Sequence, residues 1–277
     1  MGTVMDHVLP ERYESPHGTV RWACHGQGSP VVLLHGTPFS SYVWRDIAAA
    51  LSTRHSVYLW DMPGYGSSAK YDGQDVSLAA QQSVFTALLS HWGLDRPAVI
   101  AHDFGGAVAL RTALLDGVRY DRLALFDAVS LRPWGSEFFR LVNQHAKVFA
   151  ALPPHLHEAL VRSYIATASH PGLRTDVLDA LVAPWLSDEG RSAFYRQIAQ
   201  ADERYTAEVE DRYHELAFPV LVAWGREDTW LSPDHAVRLA EHIPHAVLRW
   251  IDQAGHLVQE DAPARVTGLI SDLLARE

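Results

Sequence analysis

Several kinds of site and partner are excluded by what this chain lacks. It has one cysteine, Cys24, so no internal disulfide can form, and its 16 histidines occur without a His-Glu-x-x-His motif or paired cysteines. We therefore expect no metal centre. The 23 Lys and Arg residues are outnumbered by 33 Asp and Glu residues, giving a net charge of −10. A nucleic-acid partner is not expected, because it would need a clustered basic surface.

Membrane segments are also missing from the sequence. No apolar run approaches the ~18 residues of a membrane span. The opening residues, MGTVMDHVLPERYE, lack the basic and apolar regions of a secretory signal peptide. These features predict a cytoplasmic protein without a membrane partner. The oligomeric state does not follow from them.

Short apolar runs alternate with helical patterns along most of the chain, which indicates parallel βαβ units. The alternation is interrupted between residues 132 and 213, where the pattern is helical only. The predicted strands are 31–34, 57–60, 98–101, 123–126, 220–223 and 247–250. The predicted helices outside the interruption are 42–52, 77–92, 104–115, 233–243 and one from about 261. We predict an α/β core over 1–131 and 214–277 with a helical cap over 132–213.

The segment Ala101-His102-Asp103-Phe104-Gly105-Gly106 lies between a predicted strand and a predicted helix. Small residues surround Asp103, as a sharp strand-to-helix turn requires. This pattern is typical of a nucleophile elbow, with Asp103 at the position where serine is commoner. An alternative is that Asp103 only caps the helix. His102 is expected to pack beneath the elbow.

With this motif the chain resembles α/β-hydrolase-fold enzymes of the epoxide hydrolase and haloalkane dehalogenase group, which carry His-Asp at the elbow. His35-Gly36-Thr37-Pro38 looks like the H-G-x-P motif of that group. Gly225-Arg226-Glu227-Asp228 and Ala254-Gly255-His256 follow strands where the family places its acid and its histidine. The resemblance implies an α/β-hydrolase fold with a mostly parallel central sheet flanked by helices, and a triad of Asp103, His256 and Asp228.

The chemistry of an aspartate nucleophile is consistent with these roles. A carboxylate is ionised at pH 7 and can displace a leaving group from a saturated carbon without a base. Water must then attack the resulting ester, with His256 as the base and Asp228 as its orienter. Asp127, at the end of an earlier strand, is an alternative or assisting acid, and Asp228 is alternatively a turn residue. The backbone N–H groups of Thr37 and Phe104 are the candidate oxyanion-hole donors.

Epoxide opening needs an acid near the leaving oxygen, which related epoxide hydrolases supply as cap tyrosines. Phe194-Tyr195-Arg196 looks similar to a tyrosine-arginine pair of such caps, so Tyr195 is the preferred candidate and Tyr164 the weaker one. Halide departure needs N–H donors, and Phe104 stands where haloalkane dehalogenases typically carry tryptophan. Trp134 and Trp185 are the residues that could compensate.

We therefore predict a hydrolase that forms an ester on Asp103 and converts an epoxide on an apolar small molecule to a diol. The alternatives are a haloalkane or haloacid dehalogenase, another ester or lactone hydrolase, and a non-catalytic small-molecule binding protein. No cofactor is implied, because nucleophile, base and water suffice. The predicted pocket residues are His35, Pro38, Trp134, Trp185, Trp230 and Leu257.

Overall fold

The computed structural model describes residues 7–275, and its centre is one eight-stranded sheet with the order β1-β2-β4-β3-β5-β6-β7-β8. β1 pairs with β2 and β2 with β4 in antiparallel fashion, and all other pairs are parallel. The strands are β1 (Glu11–Ser15), β2 (Gly18–His25), β3 (Ser29–Leu34), β4 (His55–Trp60), β5 (Ala98–His102), β6 (Arg122–Phe126), β7 (Val220–Gly225) and β8 (Val247–Ile251).

Eleven α-helices accompany the sheet within the described residues. They are α1 (Arg45–Leu51), α2 (Leu78–His91), α3 (Phe104–Leu115), α4 (Glu137–Ala150), α5 (Pro154–Ala166), α6 (Thr175–Val182), α7 (Asp188–Ala199), α8 (Arg204–Ala207), α9 (Asp234–His242), α10 (Val258–Asp261) and α11 (Pro263–Leu274). Short 3₁₀ turns cover Ser41–Trp44, Ala183–Trp185 and Glu210–Glu215. No helix within 7–275 is long and apolar enough to cross a membrane.

The central strands are buried because helices cover both faces of the sheet. Every residue of β5 and β7 is buried, and these strands read as continuous apolar runs rather than alternating ones, as parallel strands usually do. The carboxyl ends of β3, β5, β7 and β8 lead into the loops that carry the predicted site residues. The sheet therefore positions the site along one edge, as open α/β sheets commonly do.

The predicted fold class, a mostly parallel sheet flanked by helices, is confirmed. All six predicted strands are present, but the β1–β2 hairpin was not predicted. Its residues lie at the edge of the sheet and are mostly exposed or half-buried, so they lack the apolar run that marked the other strands. The predicted absence of a signal peptide concerns a segment whose first residues, 1–6, lie outside the described part.

Between β6 and β7 the chain forms α4 to α8 and two of the 3₁₀ turns, without a strand in this described segment. The segment was predicted to be helical, and it is. Its limits as a separate cap, 132 and 213, remain a prediction. The indole N–H of Trp185, in this cap segment, donates to the carbonyl oxygen of Pro38 at 2.9 Å, so the segment packs on the loop that follows β3.

Candidate active site

Asp103 lies at the turn between β5 and α3 in a backbone conformation that side chains rarely adopt. Its φ is 50° and its ψ is −119°, and its side chain makes no capping hydrogen bond to α3. The alternative role as a helix cap is therefore not what the carboxylate does. Strained residues of this kind persist where the surrounding structure enforces them, most often at functional sites.

The neighbouring glycines leave the space that this turn needs. A Cβ on Gly36 would lie 2.3 Å from the Cβ of Asp103, and a Cβ on Gly105 would lie 2.7 Å from the carbonyl oxygen of His35. A Cβ on Gly106 would lie 2.5 Å from the Cβ of Ala128. Any larger residue would displace the turn, so the elbow pattern in the sequence has a steric cause.

The structure brings Asp103, His256 and Asp228 together from three loops. His256 Nδ1 lies 3.0 Å from Asp228 Oδ2, and His256 Nε2 lies 3.4 Å from Asp103 Oδ2. The other oxygen of Asp228 accepts the N–H groups of Trp230 at 2.8 Å and Leu231 at 3.0 Å. Asp228 is thus a turn residue and the partner of His256 at once, and the turn fixes the carboxylate that orients the ring.

The charge of His256 depends on the buried carboxylates of Asp228 and Asp103 beside it. Burial opposes the charge of His256, but the carboxylates of Asp228 and Asp103 outweigh it and raise the pKa of His256 well above its usual value. His102 is different: burial and the neighbouring His256 lower its pKa to about 3. Its neutral ring donates from Nε2 to the carbonyl oxygen of His256 at 2.9 Å, so it packs under the catalytic ring, as expected from the sequence.

Asp127 lies beside this pair at the end of β6 and is fully buried. One of its oxygens accepts the N–H of Gly225 at 2.8 Å. One ligand atom each of Asp127, Asp228 and His256 lie within 4.8 Å of one another, which is the spacing of a metal site. Because His256 Nδ1 is already bonded to Asp228, the cluster is better described as a triad with an additional carboxyl group.

One of the two candidate oxyanion-hole donors contacts Asp103. The backbone N–H of Thr37 donates to Asp103 Oδ1 at 2.7 Å, which is the contact expected of an oxyanion-hole donor. Phe104 is the first residue of α3, where backbone N–H groups have no partner within the helix. Its role as the second donor remains a prediction.

A polar cluster that the sequence did not predict joins the cap to this loop. The hydroxyl of Thr37 donates to Gln197 Oε1, and the hydroxyl of Tyr65 donates to the same oxygen at 3.1 Å. Gln197 comes from α7 and Tyr65 from the loop after β4, and both are buried. The cluster ties α7 to Thr37, the residue whose N–H donates to Asp103.

A cavity of about 30 Å³ adjoins Asp103. This is room for about one or two water molecules. The cavity is lined by Thr37, Asp103, Phe104, Val129, Trp134, Gly135, Ser136, Phe139, Tyr164, Trp230 and Leu231. Trp134, Gly135 and Phe139 also line a larger groove of about 860 Å³ beside α4 and α7, which gives the cavity an adjacent approach.

The two candidate tyrosines occupy different places, and the preference between them is reversed. Tyr164 lines the cavity, its ring stacks on Trp230 at 4.4 Å, and burial together with the charge of Asp103 raises its pKa. Tyr195 does not line the cavity. Its hydroxyl is hydrogen-bonded to Nδ1 of His157 at 2.9 Å. Nε2 of the same histidine donates to the backbone carbonyl oxygen of Trp185. Tyr195 is therefore a packing residue within the cap.

Indole N–H groups near the site already have partners. Trp134 Nε1 donates to Thr206 at 2.9 Å and Trp230 Nε1 donates to Thr167 at 3.0 Å. Trp185, as described above, donates to Pro38. Neither of the tryptophans proposed as halide donors presents a free N–H toward Asp103 in this conformation.

Of the predicted pocket residues, Trp134 and Trp230 line the cavity and four do not: His35, Pro38, Trp185 and Leu257. His35 is fully buried, and its Nε2 accepts the N–H of Met62 at 2.9 Å. This bond supports the turn after β4. Leu257 is also buried, and its N–H donates to the carbonyl oxygen of Ala168. The lining residues that were not predicted are Val129, Gly135, Ser136, Phe139 and Leu231. They are small or apolar, and nothing in their sequence context distinguishes them from core residues.

Comparison with known proteins places these observations in a family. A family model described as alpha/beta hydrolase fold matches residues 29–263. Haloalkane dehalogenase 2 of Mycobacterium tuberculosis is 26% identical over 269 residues, covering 93% of this chain and 92% of the relative. A cis-3-alkyl-4-alkyloxetan-2-one decarboxylase of Shewanella oneidensis is 26% identical over 285 residues, covering 95% and 88%. A solved structure of an alpha/beta hydrolase fold protein from Burkholderia ambifaria is 45% identical, with a TM-score of 0.93 and coverage of 95% and 97%.

Proposed function

The chain belongs to the α/β-hydrolase fold family and is a hydrolase, and on that premise we propose that Asp103 is its nucleophile and that it opens an epoxide on an apolar small molecule to give a diol. The proposal rests on one observation above all. The cavity at Asp103 is lined by Tyr164, whose hydroxyl makes no hydrogen bond to a described residue, while the indole N–H groups of its two tryptophans already donate to threonine hydroxyls. An oxygen leaving group needs an acidic hydroxyl to protonate it, whereas a halide leaving group needs N–H donors to bind it.

In the first step Asp103 Oδ2 attacks a ring carbon of the epoxide. Oδ1 is held by the Thr37 N–H, whereas Oδ2 accepts no backbone hydrogen bond from the described residues and lies 3.4 Å from His256 Nε2. The new O–C bond forms as the ring C–O bond breaks, and the electron pair of that bond stays on the ring oxygen. The Tyr164 hydroxyl gives its proton to this oxygen, leaving an ester on Asp103 and a phenolate on Tyr164.

In the second step water attacks Cγ of the Asp103 ester. His256 Nε2, which lies beside this carboxylate, removes a proton from the water, and Asp228 stabilises the imidazolium. The negative oxygen of the tetrahedral intermediate is bound by the Thr37 N–H. Cleavage of the ester bond releases the diol, which receives the proton held by His256. The proton left over when Asp103 ionises again returns to Tyr164.

A carbon–halogen bond is the second candidate, favoured by the likeness to haloalkane dehalogenase 2. The same Asp103 and His256 would serve, but halide must be bound by donors. Phe104, next to the nucleophile, has no side-chain N–H. The other named relative acts on an oxetan-2-one, which is a strained oxygen ring, and this supports oxygen as the leaving atom.

The test is a substrate panel of an aryl epoxide, an alkyl chloride, a β-lactone and a simple ester, with mass spectrometry of the products. We expect diol from the epoxide, and no diol with Asp103→Ala. Single turnover in H₂¹⁸O should place ¹⁸O in the Asp103 carboxylate, because water attacks Cγ and not the substrate. Halide release would support the second candidate. Undiminished turnover by Asp103→Ala would refute the nucleophile.

A matched variant separates the two steps. His256→Gln should still be alkylated, since only water activation is lost. The peptide that contains Asp103 should then gain the full mass of the epoxide. If no adduct accumulates on a substrate that the wild type turns over, His256 is not the base for hydrolysis.

A further inference from the structure

One carboxyl oxygen of Asp127 and one of Asp228 lie within 4.8 Å of each other in the core, and the two groups have too few donors for two charges. Asp228 accepts three: the N–H groups of Trp230 and Leu231 on Oδ1, and His256 Nδ1–H on Oδ2. Asp127 accepts one, the N–H of Gly225, on Oδ1. A buried carboxylate needs several such bonds to remain ionised.

The second oxygen of Asp127, Oδ2, is buried without a donor among the described residues. Its neighbour in the cluster is the Asp228 carboxylate, and two carboxylates cannot bond to each other unless one of them carries a proton. Since Asp228 has three donors and Asp127 has one, that proton belongs on Asp127. A hydrogen bond from Asp127 to Asp228 would satisfy both groups.

We propose that Asp127 is a neutral carboxylic acid that donates a hydrogen bond to Asp228, and that it is a positioning residue of the triad. The two groups are close enough for this bond to form on a small side-chain adjustment, since one oxygen of each lies within 4.8 Å of the other. Burial and the negative charge of Asp228 also raise the pKa of Asp127 well above its ordinary value. His256 is the one imidazole in this cluster, and it is already paired with Asp228.

The role for catalysis, which rests on the proposed function, follows from the geometry. With three backbone or ring donors and the Asp127 hydroxyl, both oxygens of Asp228 are fixed. The Asp228 carboxylate then holds the His256 ring with Nε2 toward Asp103. Asp127 does not touch the reacting atoms, so its loss should affect the hydrolysis step, which uses His256, more than the alkylation step, which does not.

The protonation state can be measured without substrate. We would record infrared difference spectra at pH 7 between the wild type and Asp127→Asn. Loss of the carbonyl stretch of a protonated carboxylic acid is the expected result, and loss of carboxylate bands would overturn the proposal. Asp61→Asn is the matched control. Asp61 is also buried, but its oxygens accept four bonds from Ser41 and Ser67, so that variant should lose carboxylate bands.

The positioning role is tested by two variants of similar shape. In Asp127→Asn the amide can accept from Gly225 and donate to Asp228, so we expect hydrolysis of the ester within about threefold of wild type and an unchanged pH profile. In Asp127→Leu no donor remains, and hydrolysis should fall by about tenfold or more while alkylation changes little.

Other outcomes contradict the proposal. A pH profile of Asp127→Asn that moves down by about one unit or more would mean that a charge near His256 has been removed, so Asp127 was ionised. A wild-type rate of ester hydrolysis in Asp127→Leu would show that Asp127 does not position the triad. If Asp127→Leu does not fold, the infrared spectra and the pH profile of Asp127→Asn still show whether Asp127 is protonated. If the wild type turns over no substrate, the proposed function fails, while the infrared result on Asp127 stands.

Discussion

Removing the hydroxyl of Tyr164 is the perturbation that tests the proposed chemistry most directly. Tyr164→Phe keeps the ring stacked on Trp230 at 4.4 Å and removes only the hydroxyl of a residue that lines the same cavity as Asp103. No hydrogen bond of this hydroxyl to a described residue is present, so the free energy of unfolding should change by less than about 1 kcal/mol. A positioned general acid contributes roughly 10²- to 10⁴-fold to a rate, or about 3–5 kcal/mol of activation free energy.

We therefore expect kcat/KM for an epoxide to fall by at least about 10²-fold in Tyr164→Phe. Formation of the Asp103 ester can be followed by stopped-flow tryptophan fluorescence, because Trp230 stacks on both Tyr164 and His256. The loss should appear in ester formation and not in hydrolysis. An alkyl halide, which needs no proton at its leaving atom, should be unaffected by the substitution if it reacts at all.

Tyr195→Phe is the matched control, since Tyr195 was the candidate favoured by sequence. It removes the bond to buried His157, so the protein should lose about 1–3 kcal/mol of stability with little change in ester formation. The reasoning would be refuted if Tyr164→Phe kept epoxide turnover within about threefold of wild type, or if Tyr195→Phe produced the larger loss of rate.

Three further predictions concern the groups around the nucleophile. Gly36→Ala should lower kcat/KM about 10²-fold or more, because the new Cβ would lie 2.3 Å from the Cβ of Asp103 and displace Asp103. Circular dichroism should show an intact fold. A wild-type rate would contradict the steric argument. The hydrolysis rate should fall as pH is lowered through the pKa that His256 has in the Asp103 ester, because only the neutral ring is a base; Asp228, which stays charged in the ester, still raises that pKa. Asp228→Asn should move this loss to lower pH, since it removes a carboxylate that raises that pKa, and a shift to higher pH would show the sign to be wrong. Asp261→Asn should lower the free energy of unfolding by about 1.5–3 kcal/mol in a denaturant titration, because the Asp261 carboxylate accepts the N–H of Gly255, the residue before His256, at 2.7 Å. The same substitution should slow hydrolysis more than alkylation. Equal slowing of both steps would exclude a local effect on the loop that carries His256.

The elbow and the triad could be predicted because each has a local cause. The glycines after Asp103 are needed for a strand-to-helix turn, and loops at the ends of neighbouring parallel strands must meet at one edge of the sheet. The central strands β3, β5, β6 and β7 were equally predictable, since burial on both faces leaves a continuous apolar run. β8 is a half-buried edge strand, and it was predictable because its residues are still mostly apolar. The β1–β2 hairpin has no such run, because it is an exposed edge.

The cap residues could not be placed from sequence for a physical reason. Which side of a cap helix faces the nucleophile depends on how the helices pack, and Tyr164 and Tyr195 look alike in the chain. Only the three-dimensional arrangement shows that Tyr164 lines the cavity at Asp103, whereas the hydroxyl of Tyr195 is bonded to His157. In the same way, the indole groups of Trp134 and Trp185 find partners far away in sequence, Thr206 and Pro38.

The 3.4 Å separation of His256 and Asp103 has a consequence for the timing of the reaction. Both neighbouring carboxylates raise the pKa of the ring while Asp103 is free, which favours the protonated imidazolium. In the proposed mechanism Asp103 carries no charge once it is esterified, and one of the two groups that hold this proton is gone. The pKa of His256 then falls, and the ring becomes a base only after there is an ester to hydrolyse. The nucleophile thereby controls when its own product can be released.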